Sequence, residues 1–551
     1  MISAKLRAEV EAWIELDPDP ATAAQLRNWL AADNETALHK SFNGFLQFGT
    51  AGLRGPVGPG PSCMNRAVVG RTAAGIANYM KARGLTSVVI GRDARHGSEE
   101  FTQESAEIFA GAGMTVHVLP RPLPTPVLAY AVNALGVDVG VMVTASHNPP
   151  EDNGYKVYLG GVVDGVRYAG SQIIAPADSQ IADEIAKIDS HQPRGSQWSI
   201  VDEKVIHSYV STTASLVKEP EDIKVVYTAM HGVGAKTVMH VMHKAGFGQP
   251  ILVAEQAEPD PDFPTVKFPN PEEPGAIDLS LETARAHGAD IVIANDPDAD
   301  RCAAATVDPA LGWRMLRGDE VGAIFGYYIA TRLPDRCSGK AFANSIVSSS
   351  LLSKVAAKFG IEFHEVLTGF KWLAKIPNLT YGYEEALGYA VDPATVNDKD
   401  GVSAALMLAK IAGELKREGT SLIEYLDEIW NAFGFHRTEQ LSIRVTDLKQ
   451  VDQVLARLRE STPTSIAGYL VTQFDDLNKP SGSLPATNGL RFYLSDGQLG
   501  KAIRIIIRPS GTEAKMKCYI EVVRPSGINE ERATAEAMVT QLRTELAKVL
   551  A

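Results

Sequence analysis

The chain has 551 residues, 45% of them hydrophobic and 22% charged, with a formal net charge of −13. At ~100 to 200 residues per domain it should fold as several domains with real cores, and acidic residues spread along its length speak against nucleic acid or an anionic membrane as partner. The four cysteines, Cys63, Cys302, Cys337 and Cys518, form no CxxC pair, which excludes a readable zinc site or disulfide framework and fits a reducing compartment. Lys5, Arg7 and Glu9 interrupt any apolar leader, and no stretch reaches the ~18 apolar residues of a membrane span, so a cytoplasmic protein is expected.

Leu6, Val10, Trp13 and Ile14 stand at helical spacing and predict an opening amphipathic helix. From residue 68 helices alternate with short apolar strands at 87–90, 115–119 and 137–143. The rhythm restarts with strands at 223–227, 251–254 and 291–294, and again at 341–346 and 379–383, which is an α/β signature repeated three times. Beyond residue 440 come strands at 441–445 and 502–507 and a charged helix at 530–550, a smaller α+β pattern. The expected domains are 1–205, 206–315, 316–440 and 441–551. The proline-rich run 258–274 can be neither regular helix nor central strand and reads as an ordered excursion.

Ligands of open α/β sheets sit beyond the carboxyl ends of strands, and four such places are unusual. Thr144-Ala145-Ser146-His147-Asn148-Pro149 is a small polar turn offering a hydroxyl beside an imidazole. It lacks the Gly-x-Ser-x-Gly elbow of a serine hydrolase, and His147 is poorly placed as the base of an immediate neighbour. Asp296-Pro297-Asp298-Ala299-Asp300-Arg301 follows the strand IVIAN. Carboxylates at every second position of an extended segment would project to one side and repel one another unless a cation neutralises them. Arg301 and Val307 stand where an EF-hand needs glycine and glutamate, which excludes that calcium loop; three protein oxygens would leave a magnesium ion open positions for a phosphate oxygen. Arg508-Pro509-Ser510-Gly511-Thr512-Glu513 gathers a guanidinium, two hydroxyls and a glycine amide, a set suited to a phosphate dianion, while no Walker A sequence occurs. Tyr383-Glu384-Glu385-Ala386 puts adjacent acids at a strand end, where carboxylates can accept hydrogen bonds from sugar hydroxyls. His231-Gly232-Val233-Gly234 reads as a tight turn before a helix, and Arg54, Arg92-Asp93-Ala94-Arg95 and Lys156 could each be ordinary charged residues.

In this order, one per domain, the four loops resemble those of the α-D-phosphohexomutase superfamily, and the resemblance covers nearly the whole chain. It implies three tandem similar α/β domains with mixed sheets plus a C-terminal α+β domain around a central cleft. It implies an intramolecular phosphotransferase in which phosphorylated Ser146 gives its phosphoryl group to a sugar monophosphate, and the bisphosphorylated sugar returns its other phosphate to the serine. By the same resemblance Asp296, Asp298 and Asp300, with the serine phosphate on Ser146, would hold Mg2+. Arg508, Ser510, Gly511 and Thr512 would clamp the non-reacting phosphate. Arg301, Lys371, Glu384 and Glu385 would bind substrate, Lys156 and His147 would transfer protons, and Arg54 would sit near the transferred group. A sugar bisphosphate of the glucose 1,6-bisphosphate type is the expected activator, small-molecule sugar phosphates are the expected partners, and the enzyme should be a monomer or weak homodimer.

Hexose-specific relatives usually carry Gly-Glu-Glu/Met-Ser in the sugar loop, whereas Ala386 here removes a hydroxyl. That departure, with His231-Gly232-Val233-Gly234, Phe263-Pro264-Thr265-Val266 and Thr368-Gly369-Phe370-Lys371-Trp372, is similar to the branch holding phosphopentomutases and the second type of phosphoglucomutase. Glucose 1-phosphate and 6-phosphate are the expected substrates, ahead of ribose phosphates and then mannose phosphates. A metal-dependent sugar phosphatase or a non-catalytic sugar-phosphate-binding relative are the alternatives from other classes.

Overall fold

The computed structural model describes residues 2–49, 52–445, 448–480, 484–509 and 515–550. It divides into two bodies, 1–315 with 388–417 and 316–387 with 418–551. Segment 388–417, which lies within the 316–440 stretch of sequence, therefore packs with the first body.

The chain opens with three helices rather than the one read from the sequence: Ala4–Leu16, Pro20–Ala31 and Glu35–Ser41. Their N-caps Ser3, Asp19 and Asn34 each accept a backbone N–H of the first turn. One apolar stripe from each, including Val10, Leu26 and Leu38, closes into a small core. The first sheet of this body runs in the order Leu53–Pro56, Asp152–Leu159, Val139–Val143, Ser87–Arg92, Thr115–Val118, Ser199–Ile200. Its centre is parallel, as the βαβ rhythm dictates, but Asp152–Leu159 folds back antiparallel on Val139–Val143 and carries Lys156 opposite Met142. The hairpin is tight: a Cβ at Gly154 would lie 2.5 Å from the Thr144 carbonyl oxygen.

The second sheet places Val225–Thr228 parallel to Ile251–Leu252 and Ile291–Asn295, then continues antiparallel through Cys302–Asp308 and Gly312–Met315. Strand Ile291–Asn295 is buried throughout, as its unbroken apolar run requires. The proline-rich run holds no helix or strand up to Asp278–His287, in keeping with its composition. Helix Gly401–Arg417 covers this sheet beside Gly234–Lys244.

In the second body, Ala341–Ser345 lies parallel between Glu362–Val366 and Leu379–Glu384, and helices Gly318–Arg332, Leu351–Lys358 and Leu422–Phe433 accompany these strands. An antiparallel sheet follows in the order Phe435–Arg444, Lys515–Arg524, Ile503–Pro509, Leu490–Ser495, Tyr469–Asp476, Ser465–Ile466, backed by helices Leu448–Glu460 and Asn529–Leu550. Ile346, Leu367, Leu477, Ile506 and Tyr519 join the two parts in one apolar cluster. Among the described residues no helix is long and apolar enough to cross a membrane.

Candidate active site

Strand Val139–Val143 delivers the chain into a turn in which Ser146 takes φ +54°, a left-handed conformation rare for a residue with a Cβ and found where surroundings over-determine it. The Thr144 hydroxyl accepts the Ser146 N–H at 2.9 Å and helps to hold that shape. The Ser146 hydroxyl donates to Asp296 Oδ2 at 2.7 Å and lies 3.2 Å from His147 Nδ1. Two segments 150 residues apart in sequence thus meet at one oxygen atom.

The three aspartates converge by a different route from the extended alternation read in the sequence. Ala299 N–H donates to the Asp296 carbonyl at 2.8 Å, and Ala299 has φ +53°, so the loop is a tight turn. Side chains at alternate positions of a turn point inward together, and one carboxylate oxygen from each lies within 4.8 Å of the others. Asn295 ties the turn down: its Nδ2 donates to the carbonyls of Arg301 and Gly401, and its Oδ1 accepts the Tyr227 hydroxyl at 2.7 Å. His231-Gly232-Val233-Gly234 does form the turn before helix Gly234–Lys244, and Val233 N–H donates to the Pro297 carbonyl at 2.8 Å.

All three carboxylates are buried. Asp296 also accepts the Arg301 backbone N–H at 3.0 Å. Asp298 Oδ2 accepts from the Thr125 hydroxyl and from Lys156 Nζ, both at 2.6 Å. Asp300 Oδ2 accepts from Lys156 at 2.8 Å and pairs with Lys399 at 3.2 Å. Burial, with Asp298 and Asp300 beside it, pushes the Asp296 carboxyl well above its ordinary range. Asp300 suffers the same burial but is held below its usual range by Lys156, Lys399 and Arg301. Burial would lower the Lys156 ammonium, yet Asp298 and Asp300 win and raise it. His147 is pushed well below its ordinary value by burial, then by Arg301 and Arg54. Arg54, lowered by burial and by Arg301, donates to Asn148 Oδ1 at 3.1 Å at the rim of the serine turn.

Asp298 Oδ1 and Asp300 Oδ1 are buried with no hydrogen-bond partner among the described residues. Buried carboxylate oxygens left over beside a third carboxylate are what a hard divalent cation with oxygen ligands requires, so the donor set fits magnesium.

The second body brings the sugar-loop residues together. Glu384 Oε1 accepts the Gly369 N–H at 2.7 Å, which ties the acid pair to the segment bearing the buried Lys371. Glu385 Oε2 accepts from the hydroxyls of Ser345 at 3.2 Å and Ser348 at 3.1 Å, and Ser348 Oγ accepts the Glu385 N–H at 3.0 Å. Arg508 stands near the end of strand Ile503–Pro509, beside the Tyr519 hydroxyl and the two glutamates. Ser510, Gly511 and Thr512 lie outside the described residues.

Sequence reasoning missed Lys399, Asn295, Thr125, Ser345 and Ser348. Only Lys399, in Asn397-Asp398-Lys399-Asp400, carried a signal, a lysine among acids after a turn.

Descriptions of three consecutive domains match this chain: "Phosphoglucomutase/phosphomannomutase, alpha/beta/alpha domain" I over residues 46–192, II over 206–309 and III over 317–433. The chain belongs to the phosphoglucomutase/phosphomannomutase family. Family relatives include a Haemophilus influenzae protein named "Probable phosphomannomutase", 45% identical over 86% of this chain and 96% of the relative. A phosphopentomutase from Mus musculus is 32% identical over 96% of this chain and 92% of its own length. A phosphoglucomutase from Staphylococcus epidermidis is 32% identical over 93% and 96%. Among solved structures, the phosphoglucomutase parafusin from Paramecium shares the fold with a TM-score of 0.70 at 19% identity, covering 93% of this chain and 96% of that one. The protein is thus an enzyme of the phosphosugar mutase family, and the Ser146 turn and the Asp296–Asp300 loop lie in family domains I and II.

Proposed function

We propose that the protein interconverts sugar 1-phosphates and sugar 6-phosphates through a phosphoserine at Ser146, with glucose 1-phosphate and glucose 6-phosphate as its substrates. The observation that carries this reading is the Ser146 hydroxyl 2.7 Å from Asp296, within a triad in which two buried carboxylate oxygens accept no hydrogen bond among the described residues. A hydroxyl seated against a buried carboxylate triad suits a residue that carries a phosphoryl group beside a divalent cation.

In the forward half-reaction the bond between phosphorus and the Ser146 oxygen breaks as a bond to a sugar hydroxyl oxygen forms, and the hydroxyl proton leaves to a protein base. The bisphosphorylated sugar then reorients and returns its other phosphoryl group to Ser146, so no cofactor is consumed. Asp296, Asp298 and Asp300 would hold magnesium, which when bound offsets negative charge at the transferring group. Lys156 and His147, the charged and basic groups that border the triad and Ser146, are assigned the proton transfers, and Arg54 the recognition of the transferred group. Glu384, Glu385 and Lys371 would hold the sugar, Arg301 would help to bind it, and Arg508 with Ser510, Gly511 and Thr512 would clamp the phosphate that is not reacting. A glucose 1,6-bisphosphate type of molecule would prime Ser146.

One observation favours a second reading, phosphopentomutase: Ala386 lacks the hydroxyl that hexose-specific sugar loops carry, and relatives named phosphopentomutase match 95 to 96% of this chain. The test is kcat/KM for glucose 1-phosphate, ribose 1-phosphate, deoxyribose 1-phosphate and mannose 1-phosphate, with magnesium and the cognate bisphosphate. A clear hexose preference supports the first reading. A pentose preference replaces it with the second.

A further inference from the structure

One buried cation near Ser146 spends its hydrogen bonds on backbone alone. Arg95 is 4% exposed, and its Nη1 donates to the carbonyls of Pro149 at 2.9 Å and Asp152 at 3.1 Å. Nη2 donates to the carbonyls of Ser146 and Asn148, both at 2.6 Å, and Nε lies 3.3 Å from Asp93 Oδ2. Three carbonyls of the serine turn and that of Asp152, where the returning strand begins, are thereby fixed on the two terminal nitrogens of a rigid planar fork. The Ser146 carbonyl is among them, so the guanidinium constrains the backbone of the residue whose left-handed conformation aims the hydroxyl at Asp296.

The guanidinium face is covered from the metal-loop domain. The Phe263 ring centroid lies 4.9 Å from Arg95 Cζ, and Phe263 is 2% exposed although Asp262, Pro264 and Thr265 around it are exposed. Its φ of +46° turns the ring inward against the usual preference of a bulky residue. The proline-rich excursion that carries it is pinned at both sides. His96 Nε2 lies 2.7 Å from Asp262 Oδ1, and the Thr265 hydroxyl is 2.8 Å from both His231 Nε2 and Gln256 Nε2. From His231 the chain runs through Gly232, where a Cβ would lie 2.2 Å from Pro297 Cα, directly onto the metal loop.

We propose that Arg95, capped by Phe263, is a positioning residue that sets the Ser146 hydroxyl against the aspartate triad, and that the proline-rich excursion exists to hold that cap. The proposal rests on the phosphoserine reading of Ser146 and adds to it two residues and a role for a segment otherwise without one. Loss of the cap should displace the serine turn while leaving the sugar-binding groups alone, so the effect belongs in kcat rather than KM.

The experiment compares Arg95→Lys, Phe263→Leu and Phe263→Tyr with the wild type and Ser146→Ala, all with glucose 1-phosphate, magnesium and glucose 1,6-bisphosphate. Phe263→Leu keeps apolar volume without the aromatic face and should lower kcat roughly tenfold, the scale of a desolvated cation–π contact, with KM within about twofold. Phe263→Tyr should restore most of kcat. Arg95→Lys should lose on the order of a hundredfold, and the Phe263 pair carries the test if that variant does not fold. The rate at which the bisphosphate labels Ser146 should fall in parallel with kcat. An unchanged kcat in Phe263→Leu, a loss confined to KM, or equal losses in the Leu and Tyr variants overturns the proposal while the mutase reading stands. If Ser146→Ala keeps wild-type turnover, the phosphoserine reading fails and takes the proposal with it.

Discussion

Asp298→Asn separates the metal role of the triad from its structural role. Asp298 Oδ2 is engaged by Thr125 and Lys156, and Oδ1 has no hydrogen-bond partner among the described residues, so an amide that keeps its oxygen on Thr125 and Lys156 fits the same space but puts an NH2 donor in place of Oδ1 and loses the charge. A unit charge acting on another at about 4 Å in an effective dielectric of ~20 contributes ~4 kcal/mol, and a divalent ion feels roughly twice that. Lost repulsion among the remaining carboxylates and the weakened hold on Lys156 offset part of it. A net loss of ~2 to 4 kcal/mol corresponds to roughly 30- to 1000-fold in magnesium affinity. The assay is the magnesium dependence of turnover together with calorimetric titration of the folded protein. Thermal melting supplies the control: magnesium should raise the wild-type melting temperature and leave Asp298→Asn unmoved, while without magnesium the variant should melt no lower than the wild type, because a buried like charge has gone. A half-saturating magnesium concentration within twofold of wild type would refute the assignment of this loop to the metal.

Gly401→Ala should raise the magnesium requirement several-fold and cost ~1 to 3 kcal/mol in chemical denaturation, because the new Cβ would lie 2.3 Å from the Arg301 carbonyl and 2.7 Å from that of Ala299; wild-type values in both would show that the metal loop is not fixed from this helix. Asp319, which accepts Ser349 N–H at 2.6 Å and the Tyr383 hydroxyl at 2.9 Å, is pushed up to about 7 by burial and then by Glu385 and Glu521 nearby. The folded chain holds this proton more tightly than the unfolded one, so its contribution is full only below the unfolded value of 3.8 and is lost as pH rises from there to about 7. The interval from 3.8 corresponds to at most roughly 4 kcal/mol. Asp319→Asn should flatten that part of the stability profile measured by urea unfolding from pH 4 to 8, and parallel profiles would contradict the assignment.

The three-fold α/β rhythm was legible because apolar strands at 87–90, 223–227 and 341–346 each open a run of strands with helical spacing between them, and the serine and aspartate loops were legible because each follows such a strand. Their closure was not. Lys399, marked only by the acids on either side of it, reaches Asp300 from a segment almost 100 residues on, and Thr125 reaches Asp298 across 173 residues with no local pattern to mark it. The shape of the metal loop was also misread, since alternation in a sequence does not distinguish an extended run from a turn closed by a left-handed Ala299. Arg95 looked like an ordinary ion-paired arginine, because the four carbonyls that define it are backbone atoms with no sequence signature. The two further N-terminal helices escaped because their apolar stripes are short and settle only against one another.

The most direct test of the central claim is transfer of a labelled phosphoryl group from glucose 1,6-bisphosphate to the protein, mapped by peptide mass spectrometry in the wild type and in Ser146→Ala. The account predicts one phosphoryl group on Ser146 in the wild type, its discharge on adding a sugar monophosphate, and neither label nor mutase turnover in a Ser146→Ala variant that melts at the wild-type temperature. Label on another residue, or wild-type turnover without Ser146, would contradict it.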